Sequence, residues 1–413
     1  MQDQDATLSS PLSPSPHGAP ALLCVTIVWH PDRSRIGEQS IATSSTMEMA
    51  RYLPLFQRPG GSAMGLGFSG VSRESMRITR DGADCVTIRA PATRMVVELN
   101  GVELHDEAVL SRRQIEDGVL LGLGRAVLIC LHWMRSLPKD NPVTGFIGVG
   151  AAALATRDLI RQAAASEAPV LLTGPTGSGK EVVASAIHAL SARRNGPLVT
   201  VNMATLSESL APADLFGAAK GAYTGAHSVR QGYFAEARHG TLFLDEIGNA
   251  PASVQPMLLR VLETGDYRPL GAPSDARNDA RVIAATDQDV FSGTFNQALL
   301  LRRLEALTID LPPLRKRRED FGVLLLRMLD NDDADVVLPF ALVSSLANAD
   351  WPGNIRQLRN VHAALRAGIA LRCRARSGQL AGQAGRGRCR ARSGVSHAGR
   401  CGPDATPQTI QAQ

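Results

Sequence analysis

The stretch Ala168-Pro-Val-Leu-Leu-Thr-Gly174-Pro-Thr-Gly-Ser-Gly-Lys180-Glu-Val-Val-Ala-Ser-Ala-Ile-His-Ala-Leu190 joins an apolar run, a glycine-rich turn ending in lysine, and a helical run. This strand–loop–helix order is what a phosphate-cradling loop requires. Glycines let backbone N–H groups turn inward, and the helix N-terminus adds its positive dipole end. Gly174, Pro175, Thr176, Gly177, Ser178, Gly179 and Lys180 are therefore candidate nucleotide contacts. Lys180 would act as a point charge toward the β- and γ-phosphates. Glu181 follows the lysine where a magnesium-binding hydroxyl is usual, and is counted with the site.

Sixty-five residues on, Thr241-Leu-Phe-Leu-Asp245-Glu246 is an apolar run ending in two carboxylates. At the C-terminal edge of a parallel sheet these would lie beside the phosphates. Asp245 is then the candidate Mg²⁺ holder and Glu246 the group that polarises the attacking water. Strands are expected at 170–173, 198–202, 241–244 and 281–285, separated by helices. This predicts an α/β core with parallel strands over 147–318 and a helical subdomain over 319–371. ATP and Mg²⁺ are the expected cofactors.

The remainder bounds the function. The chain has 413 residues, 44 % hydrophobic and 20 % charged, and 44 Lys+Arg against 39 Asp+Glu give a net charge of +5. This is globular composition with a basic excess too small to argue for nucleic acid alone. Its six cysteines form no Cys-x-x-Cys pair, which speaks against a zinc site and for a reducing compartment. The apolar run from Gly118 to Met134 is cut by Arg125 and carries His132, so no membrane span is expected, and the acidic start is unlike a signal peptide. A cytoplasmic protein is the expectation. Residues 1–46, rich in Ser, Pro and Ala, read as a disordered leader. Residues 47–136 read as an all-β sandwich, with Asn100-Gly101 as a hairpin turn. Residues 372–413 read as a basic disordered tail: Arg372 to Gly402 holds eight arginines and no acid.

Between the two phosphate-site motifs lies Asp214-Leu-Phe-Gly-Ala-Ala-Lys-Gly221-Ala-Tyr-Thr-Gly-Ala226. It resembles the Gly-Ala-Phe-Thr-Gly-Ala loop of the AAA+ activators of sigma-54 RNA polymerase, with Tyr223 in place of Phe. The resemblance runs over about residues 147–371. It implies an AAA+ ATPase core with a helical lid, which opens promoters by remodelling the sigma-54 holoenzyme. Gly221, Ala222, Tyr223, Thr224, Gly225 and Ala226 would be the contact with the sigma factor. It further implies that Asn202 holds the catalytic Glu246 until the partner is engaged, and that Arg356, in Trp351-Pro-Gly-Asn-Ile-Arg356, senses the γ-phosphate. Arg281-Val-Ile-Ala-Ala-Thr286-Asp287 resembles the family's sensor strand, with Asp287 where Asn is usual. A ring, a hexamer in the family, would bring one arginine, Arg302 or Arg303 depending on alignment, to the neighbouring subunit's ATP. The family's second arginine is replaced by Asn296 or Gln297.

The β-region resembles a forkhead-associated domain through Ser72-Arg73-Glu-Ser75 and Val97-Glu-Leu-Asn100-Gly101. Ser72, Arg73 and Asn100 are its candidate contacts with a phosphothreonine protein, though Ser75 stands where the signature has His. Family members usually end in a helix-turn-helix. The arginine-rich tail has no apolar stripe for one, so only weak, salt-sensitive, sequence-blind DNA contact is expected. Two alternatives are an AAA+ remodeller of another target and a truncated or hydrolysis-impaired, non-catalytic regulator.

Overall fold

In the computed structural model the described residues are 21–222, 227–288, 304, 306–330 and 338–366. The N-terminal part is an antiparallel β-sandwich. One sheet has the order β2-β1-β10-β9-β6-β7 and the other β3-β4-β5-β8. The strands are β1 (Leu22–Trp29), β2 (Gln39–Ile41), β3 (Thr46–Met49), β4 (Met76–Arg80), β5 (Val86–Arg89), β6 (Val97–Leu99), β7 (Val102–Glu103), β8 (Glu107–Leu110), β9 (Val119–Leu123) and β10 (Val127–Met134). Asn100 and Gly101, with φ of 49° and 83°, make the expected turn between β6 and β7.

The expectation of a disordered leader through residue 46 fails from residue 21 onward. Leu22-Leu-Cys-Val-Thr-Ile-Val-Trp29 is an inner strand paired with β2 and β10. Its signal was missed because it does not alternate apolar and polar residues: both of its faces are covered. Leu23, Val25 and Ile27 enter the sandwich core. Cys24, on the opposite face, packs with Met134 and with Leu154 of the helix Ala151–Ala164. Strand β10 is buried along its whole length for the same reason.

The second part is a parallel sheet of order β12-β13-β16-β11-β17. Its strands are β11 (Val170–Thr173), β12 (Leu198–Asn202), β13 (Thr241–Asp245), β16 (Arg281–Thr286) and β17 (Leu307–Asp310). A two-stranded hairpin of β14 (Asp266–Tyr267) and β15 (Ala276–Arg277) precedes β16. Four strands fall where the residue pattern puts them; β17 is additional. Leu-Thr-Ile-Asp is short and only alternately buried, so it gave little signal. Helices Ala151–Ala164 and Lys180–Leu190 cover one face through Ile160, Val183 and Ile187. The other face carries Leu215, Phe216, Phe234 and Tyr267, with Phe216 and Phe234 stacked at 5.3 Å. Helices Phe321–Asp330, Phe340–Asn348 and 354–366 follow. The chain through Asn360 packs as one unit. No helix among the described residues is long and apolar enough to cross a membrane.

Candidate functional site

The phosphate loop leaves β11 and enters the helix Lys180–Leu190. Gly174, Gly177 and Gly179 have φ of 134°, 77° and 110°, values that side chains rarely adopt. A Cβ on Gly177 would also come within 2.5 Å of the Gly353 carbonyl oxygen. Lys180 is nearly buried, and its Nζ donates to the Gly174 carbonyl at 2.7 Å. Burial draws its ammonium below the usual lysine range, and Asp287, Asp245 and Glu246 pull the other way.

Parallel register brings the carboxylate pair to the same edge. Asn202 lies opposite Asp245, and β16 runs between β13 and β11. Glu246 follows the strand with φ of 54°, a left-handed conformation that is costly for a side chain and recurs where geometry serves a site. Asn202 spends its side-chain oxygen on the Ala204 N–H at 2.9 Å, so in this conformation it caps the turn after β12.

Two segments, residues 314–317 and 354–355, hold the loop from behind. Asn354, buried and at φ 50°, donates to the Thr176 carbonyl at 3.0 Å and accepts from the Leu314 N–H at 2.8 Å. The Ile355 N–H donates to the Gly177 carbonyl at 3.0 Å. Arg317, only 1 % exposed, donates through Nη2 to the Ser178 carbonyl at 2.9 Å. A buried arginine is hard to foresee in a run of six charges, residues 315–320.

Thr176, Lys180, Glu181, Asp245, Glu246 and Arg317 line a cavity of about 780 Å³. Arg356 and Arg359, three residues apart on one helix, line it as well. Ser178 Oγ and Arg317 Nε are buried beside it without hydrogen-bond partners among the described residues. Orphaned donors, a lysine and inward-turning glycines suit a polyanion such as a nucleotide phosphate chain. Among the described residues no group of three or more His, Cys, Asp or Glu is placed to hold a metal ion.

The remaining candidates are more scattered. Gly221 and Ala222 sit on a loop whose stem is an antiparallel bridge between Ala218 and Arg230; Tyr223, Thr224, Gly225 and Ala226 lie outside the described residues. Arg302 and Arg303 also lie outside them, as does the tail from residue 367. In the sandwich, Asn100 is committed to its own fold, its Oδ1 accepting from the Leu120 N–H at 2.9 Å. Ser72 Oγ accepts from the Glu74 N–H at 3.0 Å, and Arg73 is exposed.

Residues 146–310 match the model of the Sigma-54 interaction domain. Over 207 residues the chain is 44 % identical to the regulatory protein AtoC of Escherichia coli, covering 48 % of this chain and 45 % of AtoC. It is 40 % identical over 235 residues to the DNA-binding transcriptional regulator NtrC of Salmonella typhimurium, covering 55 % and 50 %. It is 44 % identical over 225 residues to the transcriptional regulatory protein ZraR of Salmonella typhimurium, covering 52 % and 51 %. The chain thus spans about half the length of the curated relatives it matches. The segment that carries the phosphate loop, the Asp245-Glu246 edge and the loop between them is the part of the chain that matches the Sigma-54 interaction domain.

Proposed function

We propose that the chain is an ATP-dependent regulator that remodels sigma-54 RNA polymerase to open promoters. One observation carries this reading: the phosphate loop and the two carboxylates meet at one sheet edge, and residues 221–226 lie between them in sequence, all within the matched residues 146–310. Bound ATP with Mg²⁺ would supply the phosphoanhydride whose cleavage drives the work. The backbone N–H groups of residues 176–180 cradle the phosphates, and Lys180 balances their charge. Asp245 holds the cation, and Glu246 orients and polarises water. Arg356 reads the phosphate end from the lid side. Hydrolysis then shifts the loop that grips the sigma factor.

Several further parts belong to the same reading. A ring, a hexamer, lets Arg302 or Arg303 reach the neighbouring subunit's site. The sandwich is forkhead-associated-like, with Ser72 and Arg73 toward a phosphothreonine protein. The basic tail touches DNA weakly, and the protein works in the cytoplasm. The test combines three variants. Lys180→Ala should lose ATP binding in calorimetry. Glu246→Gln should bind ATP but not turn it over, since an amide cannot polarise water as a carboxylate does. Thr224→Ala should hydrolyse ATP yet fail to open a sigma-54 promoter. A Thr224→Ala protein that activates fully removes sigma-54 as the partner.

A further inference from the structure

Helix Phe321–Asp330 has different neighbours on its two sides. Leu324, Arg327 and Met328 line the cavity beside the phosphate loop. Gly322 lies nearly opposite them around the helix, at 3.6 residues per turn, and there the helix packs on β1 of the sandwich. This contact is backbone to backbone. The register of β1 against β10 shifts between Ile27 and Trp29, an irregularity of the kind that re-aims strand groups. The Val28 carbonyl, at that point, meets Gly322 so closely that a Cβ on the glycine would fall 1.9 Å from its oxygen. Val323 serves both sides: it lines the cavity, and a Cβ on Gly37 of the sandwich would come 2.6 Å from its Cγ1.

The next helix, Phe340–Asn348, leans on the sandwich too. The Phe340 ring lies over Gly122 of β9, where a Cβ would meet its Cζ at 3.0 Å, and the Asn348 amide lies against Gly101 of the β6–β7 turn. The helix 354–366 follows, and its first residues, Asn354 and Ile355, hold the phosphate loop. Arg317, which holds the loop at Ser178, is followed by Arg318 on the Gly118 carbonyl of the sandwich. On the core side, Gln39 Nε2 donates to the Val149 carbonyl at 3.1 Å, and Cys24 and Met134 pack against Leu154. The sandwich therefore grips both the core and the lid elements between which the cavity lies.

We propose that the sandwich is an intrachain brace on the nucleotide site: docked as here, it holds the lid against the core, and nucleotide leaves only as fast as the brace lets the lid swing away. The proposal rests on the reading of the loop as a nucleotide site. Its physics is that of a gated release step, in which a wall of the site must move before product departs. The wall in question, helix Phe321–Asp330, cannot move outward without leaving Val28, because the two backbones touch with no side chain between them. By reciprocity, whatever loosens the docking weakens nucleotide binding, and bound nucleotide tightens the docking.

The experiment is stopped-flow release of ADP carrying a methylanthraniloyl fluorophore from the full chain, chased with excess ATP. Alanine suits a helix better than glycine, so Gly322→Ala spares the helix and strikes the contact with Val28. Phe340→Ala trims the second contact from the lid side. Each should speed release roughly five- to tenfold, the lower part of the range for coupling between sites, and at every protein concentration. Ile78→Val, a truncation in the sandwich core on the sheet opposite β1, should lower the melting temperature yet release at the parent rate. Unchanged or slower release in either junction variant overturns the proposal; should Gly322→Ala fail to fold, Phe340→Ala decides alone. A gain that Ile78→Val matches, or one that changes with protein concentration and so traces to assembly, overturns it as well. Failure of the nucleotide site itself has a different signature: Lys180→Ala would then bind the labelled ADP as the parent chain does.

Discussion

At the scale of single residues, the groups that hold the phosphate loop matter as much as those that would touch phosphate. Asn354 is the clearest case, because one buried amide bonds the loop at Thr176 and the segment at Leu314. Its φ of 50° adds a second demand, since Asn tolerates the left-handed region better than Ala does. Asn354→Ala strands a buried N–H and a carbonyl, at a cost of about 1–3 kcal/mol for each group left unsatisfied. The expected outcome is a lower denaturation midpoint together with weaker ATP binding by calorimetry. A variant that loses stability but binds ATP as before would make Asn354 a purely structural residue. The sequence marked Trp351-Pro-Gly-Asn as a signature through family resemblance, while the backbone-holding role of Asn354 became visible only when Thr176 and Leu314 were placed beside it.

At the scale of elements, the site depends on how closely the lid approaches the loop. The Ile355 N–H reaches the Gly177 carbonyl, and the Gly353 carbonyl leaves no room for a side chain on Gly177. Gly177→Ala combines a φ of 77° with a backbone clash that no flexible side-chain end can relieve. It should therefore push loop and lid apart and weaken ATP binding at least about tenfold, a loss of roughly 1.4 kcal/mol, with the far-UV spectrum of the parent chain. Retained affinity would show that the docking does not shape the site. The strands around this junction were largely legible. Val170–Thr173 and Leu198–Asn202 are short β-rich runs bounded by turn residues, and Gly174 to Lys180 announced its own chemistry. What stayed hidden was the strand Leu22–Trp29, while Val127–Met134 lay within the region expected to be all β. Leu22–Trp29 and Val127–Met134 lack alternation because the sandwich core takes one face and the helical layer beyond it takes the other. Periodicity reports a boundary between oil and water, and these strands have none. Arg317 was hidden for the converse reason: charge in a sequence suggests solvent, and its burial follows from long-range packing against Ser178.

At the scale of the whole molecule, the segment Arg317–Asp320 is where the β-sandwich meets the α/β core. Arg317 reaches the phosphate loop, and Arg318 donates to the Gly118 carbonyl of the sandwich at 3.4 Å. Asp320 accepts from the Val149 and Gly150 N–H groups at 2.6 and 2.9 Å, tying down the start of the helix Ala151–Ala164. Glu319 is buried among them, facing Asp320 and Arg317, with Cys24 and Cys130 of the sandwich close enough to feel its charge. Burial, and then the charge of Asp320, push its carboxyl up to about 8. Burial likewise drives the Cys24 thiol up to about 12, so that thiol stays neutral across this range. The sign follows from proton counting. Between its ordinary value of 4.5 and about 8, Glu319 holds a proton in the folded chain that the unfolded chain has released. The folded state then binds more protons than the unfolded one, so stability falls as pH rises through that window and levels off above it. Glu319→Gln keeps the shape and removes the proton exchange. Thermal melts at a series of pH values should show the Gln variant gaining on the parent chain from about pH 5 upward, with the difference constant above about pH 8. A difference in melting temperature that does not change with pH would mean that Glu319 releases its proton at an ordinary value, and that water or a cation reaches the junction between the two parts of the chain.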